Sequence, residues 1–184
     1  MRRWTKAEYY KLAELGVIPE RGVELMNGEI IDMPPIGQGH ATSVVKLNRL
    51  LLNAFPNDLV RPALPYDAAD DSEPEPDFAV VPGHDPRTYS TAHPRSSLLI
   101  IEVADSSLAY DRGRKASRYA ASGIADYWVL NLPAPQLEVF RDPQPSTQHE
   151  FGFGYASHTI VGANGTISPL AAPAVVLAVK DMLP

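Results

Sequence analysis

With 184 residues, of which 45% are apolar and 21% charged, the chain is long enough for one domain with a hydrophobic core and too short for two. It has no cysteine, which excludes disulfides and thiolate metal sites, and its longest apolar runs are far too short to span a membrane. The net charge of −6 counts against a protein that binds nucleic acid mainly by neutralising phosphates, but it does not exclude an enzyme whose carboxylates hold metal ions.

The N-terminal part predicts a short helix and a hairpin. Thr5 and Glu8 have the spacing of a capping box, and leucines continue the helical pattern over about 5–15. Asn27-Gly28 lies between two short apolar runs and predicts a hairpin turn, because both turn positions need positive φ.

The middle of the chain predicts an αβββαβ order, with the elements at about 40–54, 58–64, 77–81, 98–103, 108–122 and 126–132. Pro62 indicates an edge strand or a bulge, and Tyr127 and Trp128 are predicted to belong to the core. The acidic segment 66–76 has almost no apolar residues and predicts a solvated loop. A β-rich appendage is expected after about residue 140.

This pattern predicts a mixed α/β (α+β) fold with a central mixed sheet flanked by helices. The chain has no repeat and no linker long enough to divide it, so we expect a single domain over 1–184. No apolar segment follows the N-terminal arginines, so no secretory signal is predicted and we expect a cytoplasmic protein without a membrane partner.

Two carboxylates stand at the ends of neighbouring predicted strands. Asp77 begins one strand, and Glu102 lies near the end of the most apolar one, where burial penalises a charge unless a cation or donors compensate. If the two strands are adjacent, the carboxylates meet at one edge of the sheet. Together with a main-chain carbonyl and waters, they suit Mg²⁺ or Mn²⁺.

Lys115 is placed near these carboxylates by the spacing of the predicted helix. Leu108, Arg112, Lys115 and Tyr119 recur at helical intervals and therefore share one face. Since Leu108 and Tyr119 are expected to face the sheet, the Lys115 ammonium is expected there too. In that place it can stabilise charge on a phosphate or orient a water.

The order of these motifs resembles a known nuclease superfamily. Pro76-Asp77, then Glu102 in a strand, then a helix resembles the PD-(D/E)XK superfamily, which includes many restriction endonucleases. The segment 23–29 and above all the block 101–132, with the pattern D-x-x-x-K-x-x-x-Y followed by YW, resemble more narrowly the Uma-type family of restriction-endonuclease-like proteins.

The resemblance implies a restriction-endonuclease-like core and a metal-dependent endonuclease. Asp77, Glu102 and the carbonyl of Val103 would hold Mg²⁺ or Mn²⁺, and Lys115 would stabilise the transition state. The usual superfamily lysine would fall at Ala104, so the sequence is similar to branches in which that lysine has moved to the following helix.

Three further residues are candidates for the site. His40, in the Gly39-His40 pair of the resemblance, could cap its helix, bind a phosphate or join the site. An additional acidic residue often joins the metal site of such nucleases. Either Glu24 or Glu29 could do so, and of the two Glu29 is counted among the candidate catalytic residues. A solvated hairpin is the alternative for both.

Arg112, Arg114 and Arg118 form the most basic stretch and could follow a phosphate backbone, although a charged outer helix face explains them equally well. DNA is the expected partner, and a homodimer is expected by analogy with nucleases that cut both strands. Two alternatives stay open. One is a non-catalytic nuclease-fold module that binds nucleic acid or a protein, and the other is a hydrolase of a small phosphoester in a closed pocket.

Overall fold

The computed structural model describes residues 2–184, and its elements follow the predicted order. The helices span Lys6–Glu14 (α1), Gln38–Ala54 (α2), Leu108–Tyr110 (α3) and Ala116–Ala121 (α4), with a π-helical turn at Asp111–Lys115 between the last two. The strands span Val23–Met26 (β1), Glu29–Asp32 (β2), Leu59–Pro62 (β3), Phe78–Val81 (β4), Leu99–Ala104 (β5), Asp126–Asn131 (β6), Gln136–Pro145 (β7), Phe153–Gly162 (β8), Thr166–Ile167 (β9) and Leu177–Ala178 (β10). Within residues 2–184, no helix is both long and apolar enough to cross a membrane.

Strands β3 to β8 form one mixed sheet in which each strand pairs with the next along the chain. All pairs are antiparallel except β5 with β6, which are parallel and joined by the helical segment between them. Every residue of β4, β5 and β6 is buried, as expected where both faces of a sheet are covered. The predicted mixed α/β class with a central mixed sheet is therefore confirmed, and Pro62 lies on an edge strand as predicted.

Two apolar cores cover the two faces of this sheet. On one face, Leu51 of α2 packs with Trp128, and Met182, near the C-terminus, completes the layer. On the other face, Tyr119 of α4 packs against Tyr127 with ring centroids 5.0 Å apart. The adjacent residues Tyr127 and Trp128 serve opposite cores because successive strand residues point to opposite faces.

The N-terminal helix and hairpin form as the sequence predicts. The Thr5 side chain accepts from the Glu8 N–H while the Glu8 side chain accepts from the Thr5 N–H, which completes the capping box. At the hairpin turn, Asn27 and Gly28 have φ of 53° and 72°, the left-handed values that favour this residue pair.

The acidic segment 66–76 is not the solvated loop that its composition predicts. Glu73 is buried, and its N–H donates to a carbonyl of β1 at 2.7 Å. Asp67 forms ion pairs with Lys6 and Arg95, which lie far away in the sequence. Long-range cations therefore offset the negative charge and let the segment pack against the hairpin.

Glu138 on β7 is fully buried and ties the helical segment to the sheet. It accepts hydrogen bonds from Arg112 Nε at 2.7 Å and from Asn131 Nδ2 at 2.8 Å. Burial alone would raise the pKa of Glu138, but the hydrogen bonds from Arg112, Asn131 and Gln136 lower it from 4.5 to about 2. The ionised carboxylate therefore stabilises the folded state.

Glu138→Gln is expected to reduce the loss of stability at acid pH. Because the folded-state pKa lies below the unfolded one, the stabilisation is complete above pH 4.5 and is lost as the pH falls toward 2. Between pH 7 and pH 3 the wild type should lose about 2 kcal/mol more unfolding free energy than the variant, as measured by urea denaturation. Glu14→Gln, at an exposed position, is the control and should behave as wild type. If Glu138→Gln loses as much unfolding free energy between pH 7 and pH 3 as the wild type, the stabilising role of the ionised Glu138 is contradicted.

Candidate functional site

The candidate site lies where β4 and β5 part. The last residues paired between these strands are Phe78 and Ile101. One residue farther along, the Asp77 N–H donates to Glu102 Oε2 at 3.4 Å, and the Val103 N–H donates to Asp77 Oδ2 at 2.7 Å. Side-chain carboxylates thus replace the main-chain acceptors of the ladder, and both predicted carboxylates meet at the open end of the strand pair.

Lys115 reaches the same point from the helical segment. Its Nζ lies 3.0 Å from Glu102 Oε1 and 3.3 Å from Glu24 Oε2, and the residue is 5% exposed. The Tyr119 hydroxyl donates to the same Glu102 oxygen at 2.8 Å. The structure therefore brings Asp77, Glu102 and Lys115 together, with Tyr119 fixing the position of the Glu102 carboxylate.

The π-helical turn determines which residues of this segment face inward. The Ala116 N–H donates to the Asp111 carbonyl five residues back, so the turn holds one more residue than an α-helical turn. Asp111 and Lys115 are buried as a result, whereas Arg112 points outward and is not on the inner stripe as the α-helical spacing predicted. The pattern D-x-x-x-K-x-x-x-Y, which is Asp111, Lys115 and Tyr119, was the signal that could have indicated a buried Asp111 in place of Arg112.

Of the two glutamates in the hairpin, Glu24 is the one that lies in this cluster. It is fully buried and accepts hydrogen bonds from the Tyr110 hydroxyl at 2.8 Å and the Glu75 N–H at 3.2 Å. Glu29 lies apart from the cluster and pairs with Arg114 at 2.6 Å. The reason is that all of β1 is buried, whereas β2, beyond the turn, is partly exposed.

His40 adjoins the cluster from the first turn of α2. Its Nε2 lies 3.1 Å from Asp77 Oδ2, and because a carboxylate only accepts, this nitrogen carries the proton. The hydrogen bond to Asp77 raises the pKa of His40, although burial opposes the rise. His40 does not cap the helix, since Gly37 occupies the N-cap position.

The three arginines of the helical segment are each engaged by carboxylates. The Arg112 guanidinium lies toward β7, whereas those of Arg114 and Arg118 both lie over the Phe151 ring. This arrangement leaves little free positive charge for a phosphate backbone. The partners are Glu138 for Arg112, Glu29 and Glu150 for Arg114, and Asp71, at 3.9 Å, for Arg118.

The cluster carries more negative than positive charge. Burial raises the pKa of Glu102 well above its usual range, and neighbouring carboxylates add to the rise while Lys115 opposes it. Burial also raises the pKa of Asp111. For Lys115, burial lowers the pKa, but Glu102, Glu24 and Asp111 raise it well above its usual value, so the ammonium stays charged. The carboxylates of Glu24, Asp77, Glu102 and Asp111 thus share one permanent cation, Lys115. This excess of negative charge favours the binding of a second cation or of protons.

A cavity of about 900 Å³ lies over the cluster and is lined by His40, Asp77, Glu102, Asp111 and Lys115 among others. Eight carboxylates line it, against the permanent cations of Arg21 and Lys115 among the residues described, so the cleft is acidic and not basic. Within residues 2–184, no three His, Asp or Glu side chains lie together in a group that could hold a metal ion.

Comparison with known proteins agrees with this architecture. The sequence profile of the Uma2 family, described as "Putative restriction endonuclease", matches residues 7–179. Among solved structures, the chain is similar to a protein from Anabaena variabilis described as a putative nuclease belonging to DUF820. The TM-score is 0.69 and the identity 15%, over 93% of this chain and 96% of that one, so the likeness concerns the fold. No curated protein matches the chain.

Lys115→Met is expected to destabilise the fold by about 3–5 kcal/mol, because it leaves buried carboxylates without their cation. Adding Glu102→Gln should recover part of this loss, so the double variant should be more stable than the sum of the single losses predicts. Urea denaturation of the two single variants and the double variant measures the coupling.

The control for these variants is Lys11→Met, at an exposed lysine that pairs with Glu14 on the surface of α1. It should change the unfolding free energy by less than about 0.5 kcal/mol. Purely additive losses for Lys115→Met and Glu102→Gln would contradict a direct interaction between the two side chains.

Proposed function

The chain belongs to the Uma2 family, and from this and the geometry of the site we propose that it is a metal-dependent endonuclease that hydrolyses phosphodiester bonds of DNA. One observation carries the proposal. A buried ammonium, Lys115, touches the Glu102 carboxylate at 3.0 Å beside Asp77, at the floor of a cavity open to a substrate. This combination of groups suits attack on a phosphodiester.

The donor set fits Mg²⁺ or Mn²⁺. Glu102 Oε2 is buried and accepts only a long hydrogen bond of 3.4 Å, and the Asp77 side chain is 19% exposed toward the cavity. Oxygen ligands and excess negative charge are what these cations prefer. Asp77, Glu102 and the carbonyl of Val103 would hold the ion. When bound, it supplies positive charge to phosphate oxygens and lowers the pKa of a water.

The chain's own residues contribute orientation and charge. Lys115 is held protonated by the surrounding carboxylates, so it can donate to a phosphate oxygen and stabilise negative charge, but it cannot act as a base. Tyr119 keeps Glu102 in one orientation through its hydroxyl. His40 does the same for Asp77, and Glu24 holds the Lys115 ammonium from the hairpin.

A second candidate function is hydrolysis of a small phosphodiester. It is favoured by the cavity of about 900 Å³, a size common for pockets that take small ligands. Hydrolysis of bis(para-nitrophenyl) phosphate without cleavage of any DNA would favour this second candidate over the first.

The first test is cleavage of plasmid DNA and of its denatured strands with Mg²⁺ or Mn²⁺. Glu102→Gln and Asp77→Asn should each lower the cleavage rate by about a hundredfold or more, because each removes a charged ligand of the ion. The same variants should bind Mn²⁺ more weakly, measured by electron paramagnetic resonance of the free ion.

Glu150→Gln is the matched control, since Glu150 is partly exposed and pairs with Arg114 outside the cavity. It should leave both cleavage and Mn²⁺ binding unchanged. The proposal is wrong if the folded wild type cuts neither form of DNA with either ion, or if cleavage survives in Glu102→Gln.

The two hairpin glutamates allow a sharper comparison. Glu24→Gln should lower the cleavage rate by about tenfold or more, because Glu24 contacts the Lys115 ammonium. Glu29→Gln makes the same chemical change across the turn, where the side chain pairs with Arg114, and should leave the rate within about twofold. Equal losses in the two variants would contradict the distinct placement of these residues.

A further inference from the structure

The rim of the cavity carries negative charge without compensation. Glu20, Asp32 and Asp105 are exposed and line the cavity, and none of them has a salt-bridge partner among the described residues. Arg21 is the exposed cation beside them. A DNA duplex carries about one negative charge per 1.7 Å of its axis, so a duplex over the cavity would bring more negative charge to this acidic rim than a single strand.

The walls above the carboxylates are apolar. One wall is the segment 33–36, with the sequence Met-Pro-Pro-Ile, and the other is the segment 63–65, with the sequence Ala-Leu-Pro; all of these residues line the cavity. Ile36 is 71% exposed and Leu64 is 42% exposed, so both offer apolar surface to an occupant. Exposed apolar surface beside carboxylates that would hold the proposed cation suits a ligand whose apolar part packs on the walls and whose phosphate meets that cation.

The wall at 63–65 is joined directly to Asp77, one of the carboxylates around Lys115. The Ala63 N–H donates to the main-chain carbonyl of Asp77 at 3.1 Å. Ala63 has a φ of +46°, a left-handed conformation that an alanine adopts at a cost. This backbone turns Leu64 toward the cavity, so the apolar wall and the Asp77 carboxylate keep a fixed relation.

We propose that the substrate of this site is an unpaired DNA strand, with the base next to the scissile phosphate held between the segments 33–36 and 63–65. The inference rests on the proposed nuclease function. Bases taken out of the stack are held in enzyme pockets between apolar side chains, while a base inside a duplex cannot reach such walls. An unpaired strand also brings less charge to the acidic rim than a duplex.

The test measures the binding of one fluorescein-labelled DNA strand, alone and annealed to its complement. Fluorescence anisotropy is recorded with Ca²⁺ in place of Mg²⁺, since both cations take oxygen ligands. The single strand should bind about tenfold more tightly than the duplex. Ile36→Ser and Leu64→Ser should each weaken single-strand binding by about threefold to tenfold and leave duplex binding unchanged.

Ile160→Ser and Leu170→Ser are the matched controls. They make the same chemical changes at residues 56% and 50% exposed that do not line the cavity, and they should leave binding of the single strand unchanged. Duplex binding as tight as single-strand binding, or no effect of Ile36→Ser and Leu64→Ser, overturns the inference.

Cleavage of the same two substrates with Mn²⁺ separates this inference from the proposed function. Faster cleavage of the single strand supports the inference. If the duplex is cut as fast as the single strand, the inference is wrong and the nuclease stands. If neither substrate is bound or cut, the proposed function fails together with it.

Discussion

One buried ammonium among carboxylates organises this end of the molecule. Lys115 contacts Glu102 and Glu24, and Asp111 adds to the field that keeps it protonated. Transferring a charged group from water into the protein costs several kcal/mol, so the cluster is stable only if oppositely charged groups surround the ammonium. The hairpin, the central strand and the π turn each deliver one carboxylate, and the placement of these elements is therefore tied to a single side chain.

The pairing of β4 with β5 ends beside this charge cluster, and the cluster is therefore accessible from the cavity. Past Phe78 and Ile101, the carboxylates of Asp77 and Glu102 take the N–H groups that a continued ladder would have used. A longer ladder would satisfy the same donors but would close the sheet over the site. The hydrogen bonds of the carboxylates thus stabilise the parted strand ends and leave Asp77 and Glu102 accessible from the cavity.

Local signals in the sequence, such as capping, turn residues and apolar runs, predicted most elements. They also predicted that Asp77, Glu102 and Lys115 lie close together, as the structure has them. The α-helical spacing placed Arg112 on the inner face in place of Asp111, because the π turn shifts the phase of the helix. The burial of segment 66–76 depends on cations that are distant in the sequence. The choice of Glu24 over Glu29 depends on how the hairpin packs, which neither residue specifies alone.

In the proposed nuclease, the acidity of the cleft makes metal binding and DNA binding inseparable. Eight carboxylates around Arg21 and Lys115 repel a phosphate, so affinity for DNA must come largely from the bound cations. By thermodynamic linkage, a cation that strengthens DNA binding is itself bound more tightly in the complex. The net charge of −6 then limits non-specific association without preventing catalysis, because the positive charge is supplied only where Asp77 and Glu102 can hold it.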